Sequence, residues 1–241
     1  MSTLSTSKIL ICIYTCEKDV EHLNKLKETK WYKKYSKYKN ITMVDVYAGQ
    51  LEDEYEYKNG ELVVNTEEIY TNLCEKTYKM LSACIDLFDF DYLIKLDSSL
   101  ISYAHGKLDF RFTFEYFEKR FNEGFLTCKD YSGCIPIIGQ NVKTLKDWSL
   151  TKNLNTCPSL FLAMCSVNIL PDYWSGKTYS LSRDSCTKVL KNKYVFDAAK
   201  DYMAGTEDLS VALSLFINSP YLFSTTELTF QKISNFDPVN L

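Results

Sequence analysis

The fold class predicted for this 241-residue chain is α/β, a mostly parallel central sheet flanked by helices. Two observations predict it. Short apolar runs at 9–14, 41–47 and 92–96 have the length and composition of buried strands. Segments with helical periodicity separate them, and the order strand, helix, strand, helix, strand needs crossovers that lay helices on the sheet faces.

The first element, Ile9 to Tyr14, reads as a buried strand. Val20 to about Tyr35 reads as one helix with Leu23 and Leu26 on a shared side. Ile41 to Tyr47 is a second strand with alternating apolar positions. Asn59-Gly60 is a turn signal, a hairpin tip between charged flanks. From Glu67 to Phe88, Ile69, Leu73, Tyr78, Leu81 and Ile85 recur at threes and fours, the longest helical pattern in the chain. Thr66 followed by Glu67 and Glu68 suits its N-terminus. The strand at 92–96 comes next. Beyond it the pattern is less regular: helices are expected over 112–121, 183–191 and 207–216, and the short apolar runs between 128 and 162 are broken by Gly133, Pro136, Gly139 and Pro158. With no repeat, low-complexity tract or linker, residues 1–241 read as a single domain.

Composition narrows the function. A hydrophobic share of 46% with 24% charged residues is that of a soluble globular protein. A net charge of −3 gives no overall field toward nucleic acid or anionic lipid. The local exception is 25–39, with seven lysines among Trp31, Tyr32, Tyr35 and Tyr38. That mixture can grip single strands, but more often it is the wet face of a helix whose aromatics pack inward. No nucleic-acid partner is expected. Nine cysteines at scattered spacing form neither a disulfide framework nor a paired zinc pattern, which suits a reducing cytosol. The apolar run at 9–13 is too short to span a bilayer and lacks a cleavage region, so no anchor, no integral membrane segment and a cytoplasmic location are expected.

The most informative stretch is Tyr92-Leu-Ile-Lys-Leu96 with Asp97-Ser98-Ser99 behind it. In open α/β sheets ligands collect at the carboxyl ends of strands, and a carboxylate there can hold a metal or a sugar hydroxyl. Alone, the same residues could be an ordinary strand-ending turn. Asp89-Phe90-Asp91 has the Asp-x-Asp spacing of nucleotide-linked cation sites, but it precedes the strand and lies at the wrong end of the sheet.

Several segments in order carry a resemblance. They are Ile9 to Thr15; Lys27-Glu-Thr-Lys-Trp31; Ile69-Tyr-Thr-Asn-Leu73 with Lys76-Thr77; Tyr92 to Ser99; Pro171-Asp-Tyr-Trp-Ser-Gly176 with Tyr179-Ser-Leu-Ser182; and Glu207-Asp208-Leu209. Together they resemble the β-1,3-glycosyltransferase family of galactosyltransferases, N-acetylglucosaminyltransferases and fringe enzymes. The match covers roughly 8 to 216, with gaps. The resemblance implies a GT-A-type nucleotide-sugar-binding fold, with about 8–103 holding the donor and about 104–241 the acceptor. It implies an inverting transfer of a hexose from a UDP-sugar donor to a hydroxyl of a glycan, lipid or protein acceptor, usually with Mn²⁺. For a chain without an anchor it suggests an enzyme acting in the cytoplasm of a microbe, or of a host cell if viral.

Position by position, the resemblance places Tyr14 and Thr15 near uridine, Lys76 at the diphosphate and Asp97, Ser98 and Ser99 at the donor, with Asp97 and Ser99 as the metal positions. Asp208 is the favoured base, with Glu207 beside it. Trp174, Ser175 and Gly176 would form an acceptor wall. Each has a plainer reading: Glu207 and Asp208 as a dipole-complementing helix start, Lys76 as a solvent-facing lysine, Trp174 as core, Gly176 as a tight turn. The departure from the family is that its last two aspartates are Ser98 and Ser99 here, poor ligands for a hard cation. His105 is a possible ligand or a loop histidine. A weak metal site, metal-independent transfer helped by Lys or Arg, and an inactive GT-A-like binding module that has lost the metal site all remain open.

Overall fold

In the computed structural model β1 (Ile9–Tyr14) is buried at every position because it is the middle strand of a seven-stranded sheet. The structure describes residues 6–103, 113–134, 136–137, 173–202 and 206–218. β1 pairs in parallel with β2 (Ile41–Gly49) on one side and β5 (Tyr92–Asp97) on the other. β4 (Glu61–Asn65) adds to β2 in parallel, and β3 (Tyr55–Lys58) closes that edge antiparallel to β4. On the far side β9 (Thr178–Ser182) runs antiparallel to β5, and β6 (Tyr131–Gly133) antiparallel to β9. A separate pair joins β7 (Pro136–Ile137) and β8 (Tyr173–Trp174).

The α/β class is as expected, but the sheet is mixed rather than mostly parallel. Its parallel centre follows from the crossover helices, while the antiparallel strands sit toward both edges. One edge comes from a hairpin: Asn59 (φ 55°) and Gly60 (φ 84°) both take the left-handed backbone that a two-residue β3–β4 turn demands. The other comes from β9, whose alternating Thr-Tyr-Ser-Leu-Ser run had shown no separate strand signal. β9 also carries the sheet across the division anticipated near residue 103.

Helices cover both faces. α1 (Val20–Glu28), α2 (Lys30–Tyr35) and α4 (Phe114–Asn122) pack Leu23, Leu26, Trp31, Phe117 and Phe121 against Ile9, Ile11, Ile13, Ile94 and Leu96. α3 (Leu73–Leu87), α5 (Arg183–Leu190), α6 (Lys193–Tyr202) and α7 (Glu207–Asn218) cover the face of Leu10, Cys12 and Tyr14. Strand alternation sends successive β1 side chains into the two cores.

Three helix expectations change. The single helix over 20–35 is two, because Thr29 is extended and its hydroxyl accepts the Tyr32 N–H at 3.1 Å, capping α2. The long helix begins at Leu73 rather than Glu67, behind a 3₁₀ turn at Tyr70–Asn72. Glu68 is thereby freed from the helix start and accepts from Lys76 and from the Ala48 N–H. α6 follows α5 after two residues and was not anticipated.

The lysine-rich segment packs as a helix face: Trp31 and Tyr35 are buried, while Lys25, Lys30, Lys33, Lys34, Lys37 and Lys39 are exposed. Asp89 and Asp91 lie at the amino end of β5. Both are engaged there by Lys8, through its ammonium and its backbone N–H respectively. Among the described residues no helix is long and apolar enough to cross a membrane.

Candidate functional site

The strand order β4-β2-β1-β5 reverses direction at β1: the chain first builds outward through β2, then returns to add β5 on the opposite side. Crossovers diverge at such a point and leave a crevice beyond the carboxyl ends of the two strands. Tyr14 at the end of β1 is register partner to Asp97 at the end of β5. By that rule the crevice would lie over Tyr14 and Thr15 on one strand, only 4% and 3% exposed, and over Asp97, Ser98 and Ser99 on the other.

Three lysines meet there. Lys76, one turn into α3, is buried, donates to the Thr15 carbonyl at 2.9 Å and pairs with Glu68 at 2.7 Å. It is not the solvent-facing helical lysine of the plainer reading. Burial holds its pKa below the usual lysine range, against the opposing pull of Glu68. Lys95, inside β5, lies 4.5 Å from the centre of the Tyr14 ring, donates to the Gly176 carbonyl and reaches Glu207 at 3.3 Å. Lys177, in the turn before β9, donates to Asp97 Oδ2 at 3.0 Å and to Ser99 Oγ at 2.8 Å. Its carbonyl also accepts the Asp97 N–H at 2.9 Å. Sequence reading missed Lys95 and Lys177. The Lys in Tyr92-Leu-Ile-Lys-Leu96, a charge in an apolar strand, was the one available signal for Lys95.

The start of α7 brings the acidic pair to the same place. The Gly176 N–H donates to Asp208 Oδ2 at 2.9 Å, and the Leu209 N–H to Asp208 Oδ1 at 2.9 Å. Burial and the charge of Glu207 raise the Asp208 pKa to about 7, against the two backbone N–H groups and Lys95, which favour its ionised form. Asp97 goes the other way. Burial would raise it, but Lys95, Lys177 and the Ser99 hydroxyl outweigh that and hold it below the usual carboxylate range. The two carboxyl groups, linked through the Gly176–Lys177 turn, are thus shifted in opposite directions.

Gly176 leaves room for Glu207: a Cβ there would lie 2.3 Å from Glu207 Oε1, so the carboxylate end would have to move. Gly176→Ala is expected to cost about 1–3 kcal/mol by forcing Glu207 off Lys95, read from the shift in a urea midpoint. An unchanged midpoint would mean that Glu207 moves aside freely. Ser175 is buried next to it. Trp174 is completely buried, edge-on to Phe125 at 6.1 Å, and its backbone N–H donates to the Tyr131 hydroxyl. It belongs to the core and backs the turn instead of forming the surface of an acceptor wall. Ser98 is buried as well. His105 lies outside the described residues.

The donor set among the described residues does not fit a divalent cation. Among the described residues no three His, Cys, Asp or Glu side chains cluster. Asp97 Oδ1 accepts both the N–H and the hydroxyl of Ser99, and Oδ2 accepts from Lys177. A dication 4 Å from the Lys177 ammonium would be repelled by about 8 kcal/mol at an effective dielectric constant of 20. The crevice thus combines a fixed cation, a half-buried carboxyl that titrates near neutrality and an ionised carboxylate. Neither models of known protein families nor curated proteins give a match to this chain.

Proposed function

We propose that the protein is an inverting glycosyltransferase that moves a hexose from a UDP-sugar to an acceptor hydroxyl. One observation carries the reading: Asp208, with a pKa raised to about 7, accepts from the Gly176 N–H in the turn whose carbonyl takes Lys95 and whose next residue, Lys177, pairs with Asp97 at the end of β5. A general base works best when its pKa is near the operating pH. In this reaction Asp208 takes the proton of the acceptor hydroxyl as that oxygen bonds to the anomeric carbon. The anomeric carbon–phosphate oxygen bond breaks, and UDP departs with the electron pair. The buried Tyr14 and Thr15 form the floor beneath the nucleoside, Lys76 braces the β1 end from below, and the Ser175–Gly176 turn positions Asp208.

The test is UDP release from a panel of UDP-sugars with a mixture of simple glycoside acceptors. Release from one sugar is the expected result. A chain that binds neither UDP nor uridine would end the proposal. A second reading, a GT-A-like binding module without turnover, is favoured by the ion pair that already occupies Asp97; it predicts UDP binding with no release from any donor and acceptor.

A further inference from the structure

We infer that Lys177 is the cation that receives the donor's diphosphate, in the place a divalent metal would otherwise take. The inference rests on the proposed donor reading and adds the residue and the metal independence. Lys177 is held from two directions: its carbonyl accepts the Asp97 N–H at 2.9 Å, and its ammonium donates to Asp97 Oδ2 and Ser99 Oγ. An ammonium fixed in this way needs little reorganisation when charge develops next to it. The other two lysines of the crevice are committed to buried work, Lys76 with 3% and Lys95 with 4% of their side-chain surface exposed. Lys177 keeps 26% exposed and Asp97 24%. It is therefore the lysine of the three that an incoming anion meets. Ser99, which replaces a carboxylate of the family pattern, fits the same account. An aspartate at 99 would add a second negative charge against the phosphates unless a metal were bound, whereas a hydroxyl can accept from the lysine without that charge.

The departing UDP gains negative charge as the anomeric bond breaks, and the ammonium stabilises it as a point charge. No proton need move and no metal is consumed. Lys177→Met removes the charge while keeping the length of the side chain, and Lys177→Arg keeps the charge.

The experiment measures UDP and uridine binding by calorimetry and saturation-transfer NMR, in EDTA and again in Mn²⁺. The wild-type chain should bind UDP equally in both. Lys177→Met should weaken UDP about tenfold or more while uridine binding stays unchanged, and Lys177→Arg should stay close to wild type. UDP binding that requires Mn²⁺, or Lys177→Met binding UDP as tightly as wild type, would overturn the inference and leave the transferase reading standing. Wild type binding neither UDP nor uridine would instead remove the reading beneath it. Should Lys177→Met fail to fold, seen as loss of uridine binding together with its thermal transition, the wild-type comparison of EDTA with Mn²⁺ still decides.

Discussion

Asp208→Asn is expected to lower turnover about 10³-fold, within the range that a positioned general base supplies, while leaving UDP binding close to wild type. Asparagine keeps the shape and an acceptor oxygen for the Gly176 N–H, so the turn that contacts Lys95 and Glu207 should persist. The same substitution should stabilise the fold at high pH. A carboxyl whose pKa is raised by folding contributes its full stability below its unfolded pKa and loses it as pH rises through the folded value. For Asp208 that window runs from 3.8 up to about 7. At pH 8 the native chain carries an ionised Asp208 beside Glu207, at a cost on the order of 2 kcal/mol after solvent screening. Asparagine removes that cost, but its amide NH2 cannot accept from the Leu209 N–H as the second carboxylate oxygen does, a loss of about 1 kcal/mol. Tm should therefore rise by about 3 °C at pH 8, with the gain shrinking and then reversing toward pH 5. For the wild-type chain, the kcat/KM of the proposed transfer should climb with pH and level off above about 7. Retained turnover, or a flat profile from pH 5 to 8, would take the base role away from Asp208.

Trp31→Ala should be the most damaging single truncation away from the crevice, at about 3–5 kcal/mol. Trp31 is 1% exposed and meets Phe117, Phe121 and Phe114 edge-on at 5.1, 5.2 and 5.8 Å, with Tyr35 at 5.7 Å. α2 is only six residues long, too short to persist on its own propensity. The tryptophan is what fastens it to α4 and to the sheet. Against a typical total of 5–15 kcal/mol, such a loss should lower Tm by about 10 °C. Trp31→Phe should cost much less, because the indole N–H has no hydrogen-bond partner among the described residues and only ring area is lost. Urea denaturation of the two variants separates the cases. Equal midpoints for Trp31→Ala and wild type would mean that α2 is not held this way.

How far the sequence could be read depended on the range of the interaction concerned. Strands β1, β2 and β5 were legible because burial on both faces demands continuous apolar runs, which any reader of the chain can see. The Asn59–Gly60 turn was legible because left-handed backbone is a property of two adjacent residues. The break at Thr29 was less so: a threonine inside a helical pattern looks like a tolerated residue until its hydroxyl is seen capping the start of α2. The start of α3 was misplaced for the same reason. Thr66, Glu67 and Glu68 satisfy a local rule for a helix N-terminus, but Glu68 is drawn instead to Lys76 in the first turns of α3.

By itself, then, the sequence determined the α/β class, the strand ends that face the crevice and the residue types available there, since all of these come from short-range pattern. Tertiary structure alone decided which charges face each other. Lys177 is 80 residues from Asp97, and Asp208 is 32 from the Gly176 N–H that holds it. Whether Asp97 pairs with a lysine, and whether Asp208 titrates near neutrality, depends on burial and Coulomb terms. Those terms exist only after β9 and α7 have closed over the ends of β1 and β5.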